Sequence, residues 1–274
     1  MKNRTFLPLV IAIGGAGGFA LRLMQNRTGF DAAGLPVPGN IPGIALVILL
    51  VAVAALLAVL AFRLPEHTDP PAEFPADFST ADTAMLMFPV AGVFLMGLSG
   101  ALDLLLGAGI LTSTAVDLPG IGTLYLFVGD MFTPTVHLLM GVCTLAATAA
   151  LLPAILACRR RKHLDPRFEP ALLAIPVVML VVRLVLTYRV DSVTPALAAY
   201  YVQLLALVFL TLGFFRLSAF AFGAGRVRLF ALYTGYAAVL TFTLLADLNT
   251  PLASSLLYLG GSAVLVGCLM LLEQ

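Results

Sequence analysis

The chain has 274 residues, of which 61% are hydrophobic and only 11% charged, and its mean hydropathy is +1.06. A water-soluble surface of this size needs about a quarter of its residues charged, so a soluble globular fold is excluded. The formal net charge of +1 leaves no bulk electrostatic case for nucleic acid, and none is expected as a partner.

In chain order, Met1-Lys2-Asn3-Arg4 leads into an apolar run that ends at Arg22, Gln25 and Arg27 without a small-x-small cleavage site. It therefore reads as a retained first helix rather than a signal peptide. A helix needs about 17–25 residues to cross the hydrocarbon core. Runs of this kind cover Thr5–Met24, Ile41–Phe62, Ala84–Leu106, Met131–Ala157, Ala171–Tyr188, Pro195–Phe215, Leu229–Asp247 and Pro251–Leu272. Helices are the choice because a lone strand cannot satisfy its backbone in lipid. The expected fold is an all-α, polytopic bundle of about eight transmembrane helices, a single domain over residues 1–274. Its two halves, 1–157 and 171–272, show no self-similarity, so a symmetric-repeat transporter is not supported.

Three connecting features stand out. The loop Arg63–Thr83 carries five acids and Pro65, Pro70, Pro71 and Pro75, and is expected to be extended or flexible rather than a domain. The apolar stretch Leu118–Asp130 suggests an interfacial or re-entrant segment. Pro134 and Pro153 predict a tilt or kink in the fourth span.

Lys and Arg set the direction. With the N-terminus inside, eleven of the fifteen lie on the cytoplasmic side: Lys2, Arg4, Arg63, Arg159, Arg160, Arg161, Lys162, Arg167, Arg216, Arg226 and Arg228. Arg22, Arg27 and Arg189 lie outside, and Arg183 falls within the fifth span. Both termini are thus expected in the cytoplasm, and the protein in the cytoplasmic membrane with the bilayer as its first partner. The run Arg159-Arg160-Arg161-Lys162 reads as a stop at the inner face, and is also the surface offered to a partner protein or to anionic lipid.

Tryptophan is absent, and Tyr125, Tyr188, Tyr200 and Tyr201 stand near predicted helix ends, where they can form an interfacial belt. Cys143, Cys158 and Cys268 read as small buried hydrophobes. His67, His137 and His163 are too scattered to share a metal. No metal site, cofactor site or catalytic set is expected.

Ionisable groups inside spans are costly and mark function by default. At about 1.5 Å of rise per residue, Arg22, Asp103, His137, Arg183, Gln203 and Asp247 all fall in the outer half of the membrane. Arg22 and Asp247 read as helix-end residues reaching the interface. Arg183, Asp103, His137 and Gln203 are the candidate ligand-binding residues, with Arg183 and Asp103 as the expected ion pair. The second span has no polar residue from Ile44 to Phe62, which places it at a lipid-facing edge.

Two motifs invite chemistry. Gly15-Ala16-Gly17-Gly18-Phe19-Ala20 imitates the dinucleotide fingerprint, but it sits in a membrane span with no βαβ unit after it. Gly14xxxGly18 reads better as a small-residue face for a neighbouring helix. Gly97-Leu98-Ser99-Gly100 resembles the GxSG motif of rhomboid intramembrane proteases, with His137 on the following span and Asp103 one turn beyond Ser99. The resemblance implies a serine nucleophile and a histidine base. It stops at these residues: that family's His-rich second helix, its glycine-lined partner helix and its Trp-Arg loop have no counterpart here. A small-residue packing patch is the simpler account of Gly97, Ser99 and Gly100.

The favoured functional reading is a small-solute binding or transport component with an outward-facing polar pocket. The alternatives are a structural or regulatory subunit of a membrane complex and, behind it, a serine-protease-like enzyme.

Overall fold

The structure, a computed structural model, describes residues 2–31, 37–64, 73–111, 114–118, 122–127, 133–159, 170–191, 197–247 and 250–272. Eight long helices occur among them: α1 (Lys2–Thr28), α2 (Ile41–Phe62), α3 (Thr83–Gly107), α4 (Pro134–Ala157), α5 (Ile175–Asp191), α6 (Leu197–Ala221), α7 (Val227–Leu244) and α8 (Leu252–Leu272). All eight are long and apolar enough to cross a membrane. The chain is a multi-pass, integral membrane helical bundle.

Local chemistry sets the helix starts. The Asn40 side chain accepts from Gly43 N at 3.5 Å, ahead of α2. The Asp82 carboxylate accepts from Ala84 N at 2.9 Å to cap α3, satisfying a donor that the first turn leaves without an intrahelical partner. Pro134 opens α4 instead of interrupting it, since the first helical position needs no N–H. Pro153 remains inside the helix.

The most enclosed helices are α7 and α8. The α1–α2 pair packs on one side of α7, while α3 lies between α8 and α4. On the remaining side α5 bridges α4 and α6, and α6 returns to α7 and α8. The α3–α8 seam is close enough to bring backbones together. A Cβ added at Gly92 would lie 2.7 Å from the Gly260 carbonyl oxygen, and one at Gly260 would lie 2.6 Å from that of Gly92. Such small-residue seams are how helices associate where lipid removes the hydrophobic drive. Gly14 faces Val53 of α2 and Gly18 faces Thr243 of α7, so the small face of α1 admits both neighbours. The outer helix α2 packs mainly on α1 and α7, and exposes Ile44, Val47, Ile48, Val51, Leu56 and Val59. It is the lipid-facing edge.

Two connections differ from the sequence expectation. Between α3 and α4 the chain forms an antiparallel hairpin of β1 (Thr114–Leu118) and β2 (Gly122–Phe127), with Val116 opposite Leu124. The segment expected to be interfacial or re-entrant is thus a strand over Gly122–Phe127, while 119–121 and 128–132 lie outside the described residues. Two self-pairing strands satisfy about half of each other's backbone groups and leave both outer edges open. In the loop between α2 and α3, residues 65–72 lie outside the described part, but 73–82 fold into a docked strap. Phe78 is fully buried and Phe74 nearly so. Phe78 packs edge-on against Phe220 and Phe230, with ring centroids 5.2 and 6.4 Å away. Phe74 N donates to the Phe220 carbonyl at 3.2 Å, and Thr80 N to that of Cys158 at 2.9 Å. The acids and prolines of this loop concealed two aromatic anchors whose burial stabilises the strap against its chain entropy.

The strap covers the ends of α4, α6 and α7. Leu7 and Pro8 near the start of α1 share a cleft with Leu269 and Met270 near the end of α8. The start of α1 and the end of α8 therefore lie on one face of the bundle, which the strap helps to close.

Candidate functional site

Toward the opposite face, four helices contribute polar side chains to one hydrogen-bonded group built around a carboxylate. Asp103 stands one turn before the end of α3, His137 is the fourth residue of α4, Arg183 lies midway along α5, and Ser254 is in the first turn of α8. All four are buried, with Asp103 only 1% exposed. Arg183 Nη1 donates to Asp103 Oδ2 at 2.9 Å, and Nη2 donates to Ser254 Oγ at 2.9 Å. His137 Nδ1 lies 3.3 Å from Asp103 Oδ1. Because an ionised carboxylate only accepts, Nδ1 carries the hydrogen in this contact. Each carboxylate oxygen thus has a different partner, one permanently charged and one titratable.

The helices explain why these groups meet. Asp103 stands near the tight α3–α4 crossing, where a Cβ at Gly107 would lie 2.7 Å from Leu138 N. That approach brings the first turn of α4, and with it His137, beside Asp103. Farther from the seam, the long Arg183 side chain spans the gap from α5 to both α3 and α8.

A second polar group sits at the same end. Arg22 grips Asp247 with two hydrogen bonds, Nε to Oδ1 at 2.7 Å and Nη2 to Oδ2 at 2.9 Å. Its Nη1 donates to Gln25 Oε1 at 2.9 Å, and its guanidinium lies over the Tyr201 ring, 5.6 Å from the centroid. Asn26 Nδ2 adds bonds to Asp247 Oδ1 at 2.6 Å and to the Ala246 carbonyl at 3.1 Å. The sequence suggested helix-end residues reaching the interface, yet Arg22 is only 2% exposed. Here α7 stops at Leu244, and the turn beyond it swings the Asp247 carboxylate back against α1. The bidentate fork is the arrangement an arginine makes best.

Of the four candidate residues, the structure brings Asp103, His137 and Arg183 together. Gln203 is half-buried on α6 and takes no part in that group. Ser254 was missed: it is one small hydroxyl in a run of small residues, marked only by its place in the first turn after Pro251. Arg160, Arg161 and Lys162 lie outside the described residues, and Arg159 is exposed at the end of α4.

The GxSG segment is occupied by packing. Ser99 Oγ donates to the Ala253 carbonyl at 2.6 Å and is fully buried. A Cβ at Gly100 would lie 3.1 Å from Leu145 N, and Gly97 faces Thr148. Ser99 and His137 share no hydrogen bond among the described residues, and Ser99 Oγ donates to a backbone carbonyl, so the contact between serine and base that a nucleophile requires is not made. The Gly15–Ala20 stretch is continuous helix, without the strand and turn that phosphate binding needs.

At the strapped end, Cys158 follows α4 beneath Thr80. Burial pushes its thiol up to about 12, so it is a small core residue and not a nucleophile.

No family model matches the sequence, and no curated protein or solved structure is significantly similar to it.

Proposed function

We propose that the protein is a small-solute binding or transport component, and that Asp103, His137, Arg183 and Ser254 form its site. The observation that carries this reading is one linked group of four buried polar side chains from four helices, with Arg183 and His137 on the Asp103 carboxylate and Ser254 accepting from Arg183. Packing alone calls for no titratable third partner, and buried ionisable groups in a membrane bundle are costly to keep. The solute would enter from the face opposite the termini, the side that the Lys and Arg distribution assigns to the outside. Gln203, half-buried on α6, would belong to the approach to the site and not to its centre.

The test is thermal unfolding of the purified protein in detergent across a panel of small solutes, for wild type and Arg183→Ala. A solute that stabilises wild type but not the folded variant supports the site. A variant that fails to fold, with no solute stabilising wild type, supports the second reading: a structural or regulatory subunit whose ion pairs fix helix packing. What favours that second reading is the Arg22–Asp247 fork, a fully paired node of the same kind at the same end of the bundle.

A further inference from the structure

The cleft between α1 and α8 shares no residue with the Asp103 group and has a volume of about 440 Å³. Both helices pack on α7 and leave this gap between them. Its lining is wholly apolar, so it offers nothing to a polar solute. Leu7 and Pro8 of α1, with Leu269 and Met270 of α8, form its mouth on the strapped face. Farther in, Ala12 and Ala16 lend the α1 wall little side chain, which is what keeps the gap open. At the far end Phe242 of α7 packs on Gly15, where an added Cβ would lie 2.9 Å from Phe242 Cβ, and Phe19 closes the cleft beside it. Pro8, Ala12, Ala16, Phe19, Phe242 and Met270 are exposed, so the cleft opens sideways onto lipid. An empty apolar slot forfeits dispersion contacts along its walls, and hydrocarbon is what the bilayer offers to restore them.

Size and charge choose the occupant. From Leu7 to Phe19, α1 rises about 18 Å, a little more than half of a hydrocarbon core about 30 Å thick. That is the reach of one acyl chain from one leaflet. The volume falls within the range of about 300–1,000 Å³ that holds single small molecules. A helix of that length and about 10 Å across needs roughly 1,400 Å³, so a second copy's helix could only rest on the rim. At the mouth, Arg4 lies one turn before Pro8 in α1 and Lys2 two residues ahead of it, while the sequence beyond α8 adds one acid, Glu273. Basic residues at a membrane face attract anionic headgroups. We propose that the cleft seats one acyl chain of an anionic phospholipid, with its headgroup beside the start of α1, where Lys2 and Arg4 stand. The assignment is independent of the Asp103 group and survives or fails on its own.

The chain has no tryptophan, so Phe19→Trp places a single fluorescent reporter on the far rim of the cleft. Ile48→Trp, exposed on the lipid-facing α2, is the reference for ordinary lipid contact. Each full-length variant is reconstituted in phosphatidylcholine vesicles, and quenching is followed as dibrominated phosphatidylglycerol or dibrominated phosphatidylcholine replaces the unlabelled lipid. Phe19→Trp is expected to prefer phosphatidylglycerol by at least about tenfold, the effect of two basic residues near an anionic headgroup, and Ile48→Trp to show no preference. Adding Ala16→Leu, which fills the cleft from an exposed position, should erase the preference at Phe19→Trp. Lys2→Gln with Arg4→Gln should bring the two lipids level there. An equal preference at both reporters overturns the site, leaving general attraction to a basic face. A preference that survives Ala16→Leu overturns the cleft as the seat of the chain, and one that survives the Lys2 and Arg4 changes overturns the headgroup's place. Quenching of Ile48→Trp with none of Phe19→Trp by either lipid also overturns the proposal, in favour of a second copy covering the cleft.

Discussion

Asp103→Asn keeps the shape of the side chain and removes the charge that Arg183 and His137 share. Two unit charges about 4 Å apart interact by about 4 kcal/mol at an effective dielectric near 20. Removing one partner of a buried pair typically costs about 3–5 kcal/mol, because the other charge stays buried without compensation. At 1.4 kcal/mol per tenfold, a loss of that size lowers the folding equilibrium by roughly two to four orders of magnitude. Arg183→Met should cost a similar amount, since it strands the carboxylate. Replacing both with Asp103→Leu and Arg183→Met removes the charges together, and should recover most of the loss. The assay is equilibrium unfolding by denaturing detergent in mixed micelles, run as a double-mutant cycle. The expected coupling is at least about 2 kcal/mol. Single substitutions costing less than about 1 kcal/mol, or a double variant equal to the sum of the singles, would refute the view that Asp103 and Arg183 act as one buried pair.

Gly92→Ala should destabilise by about 1–3 kcal/mol, as overpacking does, because the new methyl would meet the Gly260 backbone 2.7 Å away. Gly97→Ala, facing the movable Thr148 side chain at 3.2 Å, should change the unfolding midpoint little by comparison. Ser99→Ala should cost about 0.5–1.5 kcal/mol through the lost bond to Ala253 and leave solute stabilisation intact; a peptidase activity abolished by this change would overturn the packing assignment. The Cys158 thiol should resist maleimide at neutral pH in the folded protein, and Phe78→Ala, by unseating the strap, should speed its labelling at least tenfold while Cys268 stays protected. Because burial raises the Cys158 value from 9.0 to about 12, its contribution to stability is full below about pH 9 and is lost as pH rises to about 12. Alkaline unfolding of wild type against Cys158→Ala measures it.

Helix number and rough position were legible because apolar length alone decides whether a segment can span lipid. The ends were less so, because they depend on caps and turns. Thr83 joins α3 through Asp82, and α6 runs to Ala221, past the apolar limit at Phe215. The Arg183–Asp103 pairing could be anticipated, since two opposite charges at similar depth in one bundle have few other ways to be neutralised. Arg22 and Asp247 stood at similar depth too, yet lie 225 residues apart, and only the turn after Leu244 reveals that they meet. Ser254 could not be told from the other small residues of α8. Phe74 and Phe78 were hidden by a loop whose composition pointed to solvent, because burial of two rings depends on what lies opposite them.

The enclosure of α7 bears on how the protein is made. Its membrane-spanning stretch has the lowest mean hydropathy of the eight and is the most buried within the bundle. It carries Thr234, Thr241 and Thr243 on surfaces that lipid never touches in the finished fold. A nascent segment of this kind partitions weakly from the translocon on its own, because insertion is driven by the apolar character of each residue facing lipid. Its integration therefore depends on α1 and α6, which emerge earlier and pack along it, and on α8, which follows after a short turn. The bundle is completed around its central helix, so a lesion in α7 would show first as failed membrane integration and only then as lost activity.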